Sequence, residues 1–446
     1  MERRPISPTE RIPRAAELVC TYGLSVFVLC LPLEFTTRIF HQPISRIVLL
    51  VVAASYIYLI AVRRRSIAVP RNLSVGLLAL FVLASLASWA VTRAPLSANS
   101  LLDVALYPVV GLMVANLPQS EEDHCRTWIA LLASGAVVAL TGVFLYVTGL
   151  HIWTPNPLVA NRLNITFADP NITARFLTLA ACAAVMLFSA RKAPAWLAVG
   201  TSIACAVVLP MTWSRSGLVL FVLCTVIAAV LALEHRRAFA IAAVALVAFG
   251  LSTTINPDTR DRAAGAAATL VTAITGGQVD QASAIPGSED VSLADNRVYL
   301  VKAGWKMFVD HPLGGVGFGG YQHEMLTAYR YFLPQGYTDS VSHTSLVTVL
   351  AEQGLIGFAL LVLFLVVLAW EALTARREDG PWAFWSILPA SLIVPIFLYS
   401  QFEARFIQEP YLWVALGMFY SARMLARQAP AVETAADQRR SEAAAA

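Results

Sequence analysis

The sequence predicts an all-α, polytopic membrane protein of about twelve transmembrane helices with one large outer loop that carries amphipathic helices. Composition is the first reason. The 446 residues are 58% hydrophobic and 13% charged, with a mean hydropathy of +0.66, whereas soluble domains carry about 25% charged residues. The second is a series of apolar runs of roughly 17–22 residues, long enough to cross a ~30 Å hydrocarbon core as helices and too long for barrel strands. The third is a strict alternation in where the arginines fall.

The runs lie near 16–35, 46–62, 74–92, 101–117, 127–149, 171–190, 194–212, 216–234, 238–253, 355–374, 382–401 and 410–426. Residues 1–15 are basic and polar, and the run after them lacks a small-residue cleavage site, which marks a retained span. With that end inside, one side collects Arg63, Arg64 and Arg65, then Arg71, Arg126, Arg191 with Lys192, Arg236 with Arg237, Arg376 with Arg377, and Arg423 with Arg427. The other side holds single arginines: Arg38, Arg46, Arg93, Arg162, Arg215 and Arg405. Basic residues accumulate on the cytoplasmic side, so both termini are expected there. The chain divides into an N-terminus (1–15), nine spans (16–253), a large outer loop with the catalytic segment (254–354), three spans (355–427) and a tail (428–446) expected to be disordered.

Three outer segments exceed a turn: about 150–170, the short TWSRS, and about 254–342. The middle of the last, GGQVDQASAIPGSED, reads as loop. After it Val298, Val301, Trp305 and Phe308 share one face of a helix with Lys302 and Lys306 beside them, a pattern that suits the membrane surface. HPLGGVGFGGY then reads as a glycine-rich turn, and from His343 a helix starts again with Leu346, Val347 and Leu350 on its face.

The chemistry-bearing residues are few. His343 stands where a surface segment enters a membrane helix, and imidazole titrates near about 6.5, close to working pH. A buried histidine bonded to backbone is the plainer alternative. Arg215 in MTWSRSGLVL, Arg162 in VANRLNITFADPN and Arg297 after Asp295 are outer cations, and a guanidinium grips phosphate with two donors at once. Snorkelling to headgroups is their ordinary explanation. Arg175, a turn inside the sixth run, needs protein or water around it. Asp103 is a candidate partner, which would make that pair structural. Asp169 and Pro170 read as an N-cap and first helical position. Glu34, Glu403 and Glu409 are outer carboxylates without an evident role.

A net charge of +4, thinly spread, gives no case for nucleic acid. Six cysteines show no metal or redox spacing, and neither HExxH, a Walker loop nor a DxD-type signature is present. No metal and no cofactor is expected.

WSRSG (213–217), the Asn296–Trp305 run, FVDHPLGGVGFGGY (308–321) and HTSLVTVLAEQGLIG (343–357), on this topology, resemble the O-antigen ligase family, which shares a domain with O-antigen polymerases and bacterial protein oligosaccharyltransferases. Thr344 stands where Asn is frequent in the family, and the Asn296–Trp305 run holds one extra residue. The resemblance implies a glycosyltransferase of the bacterial inner membrane, active on its periplasmic face. Its donor would be a glycan on undecaprenyl diphosphate and its acceptor a sugar hydroxyl of lipid A–core. By resemblance His343 matches the essential histidine, and Arg215 and Arg297 match the diphosphate-contacting arginines. Arg162 is added from its position alone.

Two alternatives remain open. The same donor chemistry serves a polymerase or a protein-glycosylating enzyme, although polymerases of this group tend to have two sizeable outer loops. A lipid-linked-glycan transporter would instead place charges near the midplane, with broken helices and inverted repeats.

Overall fold

A computed structural model describes residues 8–33, 38–39, 42–95, 98–152, 162–167, 169–255, 259–261, 264–265, 290–333, 341–403 and 405–445. The GGQVDQASAIPGSED stretch and most of the 150–170 segment lie outside the described residues. The architecture is helical: α1 (Pro8–Cys30), α2 (Ile44–Ala61), α3 (Leu73–Thr92), α4 (Ala98–Asn116), α5 (Glu121–Thr148), α6 (Pro170–Ser189), α7 (Ala195–Val208), α8 (Arg215–Leu231), α9 (His235–Ile255), α10 (Asp290–Asp310), α11 (Tyr321–Leu326), α12 (Ser345–Ala375), α13 (Pro381–Glu403) and α14 (Pro410–Ala445). Arg38–Ile39 and Gln42–Pro43 form a two-residue antiparallel ladder between α1 and α2.

Nine of the described helices are long and apolar enough to cross a membrane; α4 and α8 contribute shorter apolar helices, Val104–Asn116 and Arg215–Leu231. The remaining predicted run falls on the start of α14. This is a polytopic, all-α membrane protein. Helix α14 is drawn on through the alanine-rich tail expected to be disordered, and alanine is the best helix former.

Helix ends sort into two sets by the bonds between them. At one end Arg65 donates to the Leu117 carbonyl (3.0 Å), Lys192 meets Glu121 (3.0 Å), Arg376 donates to the Ala232 carbonyl (3.1 Å) and Arg423 grips Glu378 with two donors at 2.6 Å. These are the clusters the arginine alternation assigned to one side. The opposite end gathers the WSRSG turn, the start of α6, His343 and the glycine-rich turn. Helix α6 is the central member, buried almost throughout, and packs against α5, α7, α8, α9 and α13. Helix α13 packs against α6, α8, α12 and α14.

Helix α12 is broken at Gly354 (φ 60°, ψ −157°). The break frees backbone groups that need partners in a nonpolar setting. The glycine-rich turn supplies them: Val316 N donates to Ala351 O and Gly317 N to Glu352 O, both at 2.9 Å, while Leu355 N donates to Pro312 O (2.8 Å) and Ile356 N to Leu313 O (3.3 Å). Ser88 of α3 adds a bond to the Glu352 carbonyl (3.1 Å). Gly315 and Gly317 sit at φ 67° and 104°, where the turn lies against α12 and α3. The Glu352 carboxylate accepts from Tyr321 N (3.1 Å), fixing the start of α11. HPLGGVG and EQGLIG are two halves of one interlock.

The interlock seats α10. Its inner face (Leu300, Ala303, Met307) is buried with Tyr321, Met325, Tyr329 and Ala351, while of the face predicted to meet the membrane surface Val298, Val301 and Trp305 are exposed and Phe308 is half-buried. Lys306 contacts Asp310, which also accepts from the Tyr329 hydroxyl (2.9 Å). Both bonds hold the Asp310 carboxyl below its ordinary value.

Candidate functional site

The WSRSG turn folds for local reasons. Trp213 takes a left-handed conformation (φ 53°) that ends the 3-10 turn Leu209–Thr212. Ser214 then caps α8, its Oγ accepting from Gly217 N (3.1 Å). Arg215 is therefore the first residue of α8, and it is exposed. Gly217 is what lets α8 approach α6 at Ala174.

The start of α6 lies beside this turn. Asp169 caps it, accepting from Asn171 N (2.6 Å), with Pro170 at the first helical position as expected. Asn171 Oδ1 accepts from Ser214 Oγ (2.6 Å) and from Arg162 Nη2 (3.1 Å), and Arg162 Nε donates to the Thr212 carbonyl (3.1 Å). Two helix N-termini, each carrying partial positive charge, are thus bound together beside Arg162 and Arg215. With donors spent on Thr212 and Asn171, Arg162 ties together the corner from which Arg215 starts α8.

His343 arrives from elsewhere in the chain. It is half-buried, one residue before Thr344, the N-cap position of α12. That end of α12 is fastened to the last turn of α13: Thr344 Oγ1 donates to Gln401 O (3.3 Å), Ser345 Oγ to Ser400 O (2.9 Å) and Leu346 N to Gln401 Oε1 (3.3 Å). The same turn of α13 reaches the arginine corner. The Tyr399 hydroxyl bonds Thr178 Oγ1 (2.7 Å) and lies 3.4 Å from Ala174 O and 3.3 Å from Gly217 O. Glu403 Oε2 stands 2.7 Å from Arg175 Nη1. Residues 399–403 are the hub that joins the histidine helix to α6 and α8.

Arg175 forms an ion pair, as expected, with Glu403 and Glu409; the side chain of Asp103, the partner suggested by the sequence, lies outside the described residues. The Glu403 contact is close but lacks hydrogen-bond alignment, and Arg175 Nη2 meets Glu409 Oε2 as a second ion pair. A cavity of about 40 Å³ lies there, lined in part by Ile172, Arg175, Arg405 and Glu409.

Arg297 is on the helix α10, but its side chain lies outside the described residues. The structure therefore brings His343, Arg215 and Arg162 to one end of the bundle and leaves Arg297 on the neighbouring element. Sequence reasoning missed Tyr399 and Gln401. Their one signal was a polar cluster, YSQFEARFIQE, closing an otherwise apolar run. Among the described residues no three His, Cys, Asp or Glu side chains converge as metal ligands.

Residues 200–362 match the family model for O-antigen ligase. Over this stretch the chain is similar to the O-antigen ligase family. The O-antigen ligase domain so defined runs from α7 to the middle of α12, and it contains WSRSG, the interlock and His343. Its members are glycosyltransferase-like ligases and polymerases. A comparison with curated proteins finds no match. Arg162, Arg175 and the α13 hub stand outside the matched stretch yet pack directly on it.

Proposed function

We propose that the protein transfers a glycan from undecaprenyl diphosphate to a sugar hydroxyl of lipid A–core at the periplasmic face of the inner membrane. The observation that carries this reading is the α13 hub, because it fastens the His343 helix and the Arg215 corner to the same five residues.

In this mechanism His343 takes the proton of the acceptor hydroxyl as its oxygen attacks the anomeric carbon. The bond from that carbon to the diphosphate oxygen breaks, and the electron pair leaves with the diphosphate. Arg215 and Arg297 face the charge that builds there, a role in which preoriented cations screened from water are most effective. Arg162 keeps Arg215 in place. No metal is assigned a step. Direct displacement inverts the anomeric centre. Fixing two lipid-anchored substrates at one membrane surface removes much of the entropic cost of their meeting.

The test is transfer by purified protein supplied with lipid-linked glycan and lipid A–core in EDTA. Wild type should transfer with inversion, and His343→Ala should fall by about 10²–10⁴-fold, the span of general-base contributions. Persistent transfer by the variant would remove the base; retained stereochemistry would remove direct displacement; and dependence on added metal would remove the metal-free mechanism.

A further inference from the structure

We propose that a groove between α1, α2 and α4 is the berth for the hydrocarbon tail of a long-chain lipid diphosphate. This inference rests on the transfer reaction proposed above and adds where its donor's lipid lies.

The groove has a volume of about 300 Å³ and is walled by apolar side chains, among them Phe27 on α1, Ala53 and Ile57 on α2, and Val110 and Met113 on α4. Its rim is open: Leu50, Ile57 and Leu106 are exposed, so a chain can enter sideways from lipid. One end is marked by charge. Arg46 stands there, exposed, its guanidinium donating to Gln42 (2.9 Å) and meeting no carboxylate among the described residues. That end also joins the site already described. Leu31 and Pro410 line both the groove and the small cavity beneath Arg405 and Arg175, and Ile172 of that cavity is the neighbour of Asn171, which holds Arg162 and Ser214. Two of the arginines that stand singly on the outer side in sequence thus line adjoining spaces, Arg46 the groove and Arg405 the small cavity.

Length separates the occupants. From Arg46 to Ile60 the groove follows α2 for about 21 Å at 1.5 Å per residue. One leaflet of a ~30 Å core is about 15 Å deep. An ordinary phospholipid chain entering at the mouth ends near the midplane, so two lipids, one from each leaflet, are needed to cover what a single longer chain fills. A chain longer than a leaflet fills the groove, entering past Arg46, with its diphosphate directed along the start of α6 toward Arg215.

The experiment uses the full-length protein in phospholipid vesicles and a long-chain polyprenyl diphosphate, without glycan, carrying a photoreactive diazirine near the tail end. Label is expected on peptides of α2 and α4, displaced by unlabelled polyprenyl diphosphate and not by the same excess of phosphatidylglycerol. Ala53→Trp, which fills the groove, should lower labelling about tenfold, the loss expected from displacing about two methylenes. Ile57→Trp, on the exposed rim, repeats the measurement without demanding room in the packed interior. Label absent from α2 and α4, equal displacement by phosphatidylglycerol, or labelling unchanged in both variants overturns the assignment. The two proposals fail separately. Competed labelling without glycan transfer by wild type removes the reaction and keeps the groove, and transfer with phosphatidylglycerol-sensitive labelling does the reverse.

Discussion

Arg175 is the most deeply buried charge among the described residues, at 2% exposure. A guanidinium in that position is stable only because two carboxylates meet it, and removing one member of such a cluster leaves the others charged, buried and unpaired. Arg175→Met should therefore destabilise the protein by about 3–5 kcal/mol, read as a lowered unfolding midpoint in detergent. Adding Glu403→Gln and Glu409→Gln should recover most of the loss, since the stranded charges are then gone. A triple variant no more stable than the single one would show that the cluster's geometry, not its charge balance, matters. From the sequence Arg175 was legible as an oddity, and an ion pair was the natural expectation. Its partner was not legible, because Glu403 and Glu409 lie more than two hundred residues away and only the fold brings them close. Arg162 and Arg215 differ in the same way. Both read as outer arginines, yet the bonds to Thr212 and Asn171 give Arg162 a holding role that no spacing in the chain announces.

At the scale of elements, the two glycine motifs that accompany His343 are explained by the interlock. Helix α12 opens at Gly354, and the turn after α10 fills the opening with its own backbone. An added methyl at Gly315 would overlap the Glu352 backbone, and its φ of 67° is unfavourable for any side chain. Gly315→Ala should thus cost about 1–3 kcal/mol from backbone strain alone and unseat α10 and α11. Limited proteolysis reads this as faster cleavage within 290–333, while Gly314→Ala, where no atom lies within reach of a new Cβ, should cleave as wild type. Equal behaviour of the two variants would sink the interlock. The amphipathic face of α10 was legible from periodicity. The glycine turn was read only as a turn, since nothing local shows that its backbone completes a helix 35 to 43 residues further on.

For the whole molecule, the sets of helix ends predict a labelling pattern. Ser66→Cys and Arg377→Cys, at the arginine-rich end, should react with an impermeant maleimide only after the inner membrane is opened. Gln322→Cys and Ala328→Cys, exposed on α11 and just after it, should react in cells whose outer membrane alone is permeabilised. Reaction of both pairs from the same side would overturn the alternation. The sequence by itself determined the helical class, the spans and which helix ends lie together, because hydrophobic length and basic clusters are properties of short windows, and the bilayer converts them directly into topology. It also marked His343, Arg215, Arg162 and Arg297 as the residues to watch. Only the tertiary structure decided that 399–403 joins the histidine to the arginine corner, that Arg175 is held by Glu403 and Glu409, and that the glycine motifs complete a broken helix. Each of these satisfies a buried polar group with a partner from a distant helix. The requirement can be read at any one residue, but the partner is set by how the helices pack.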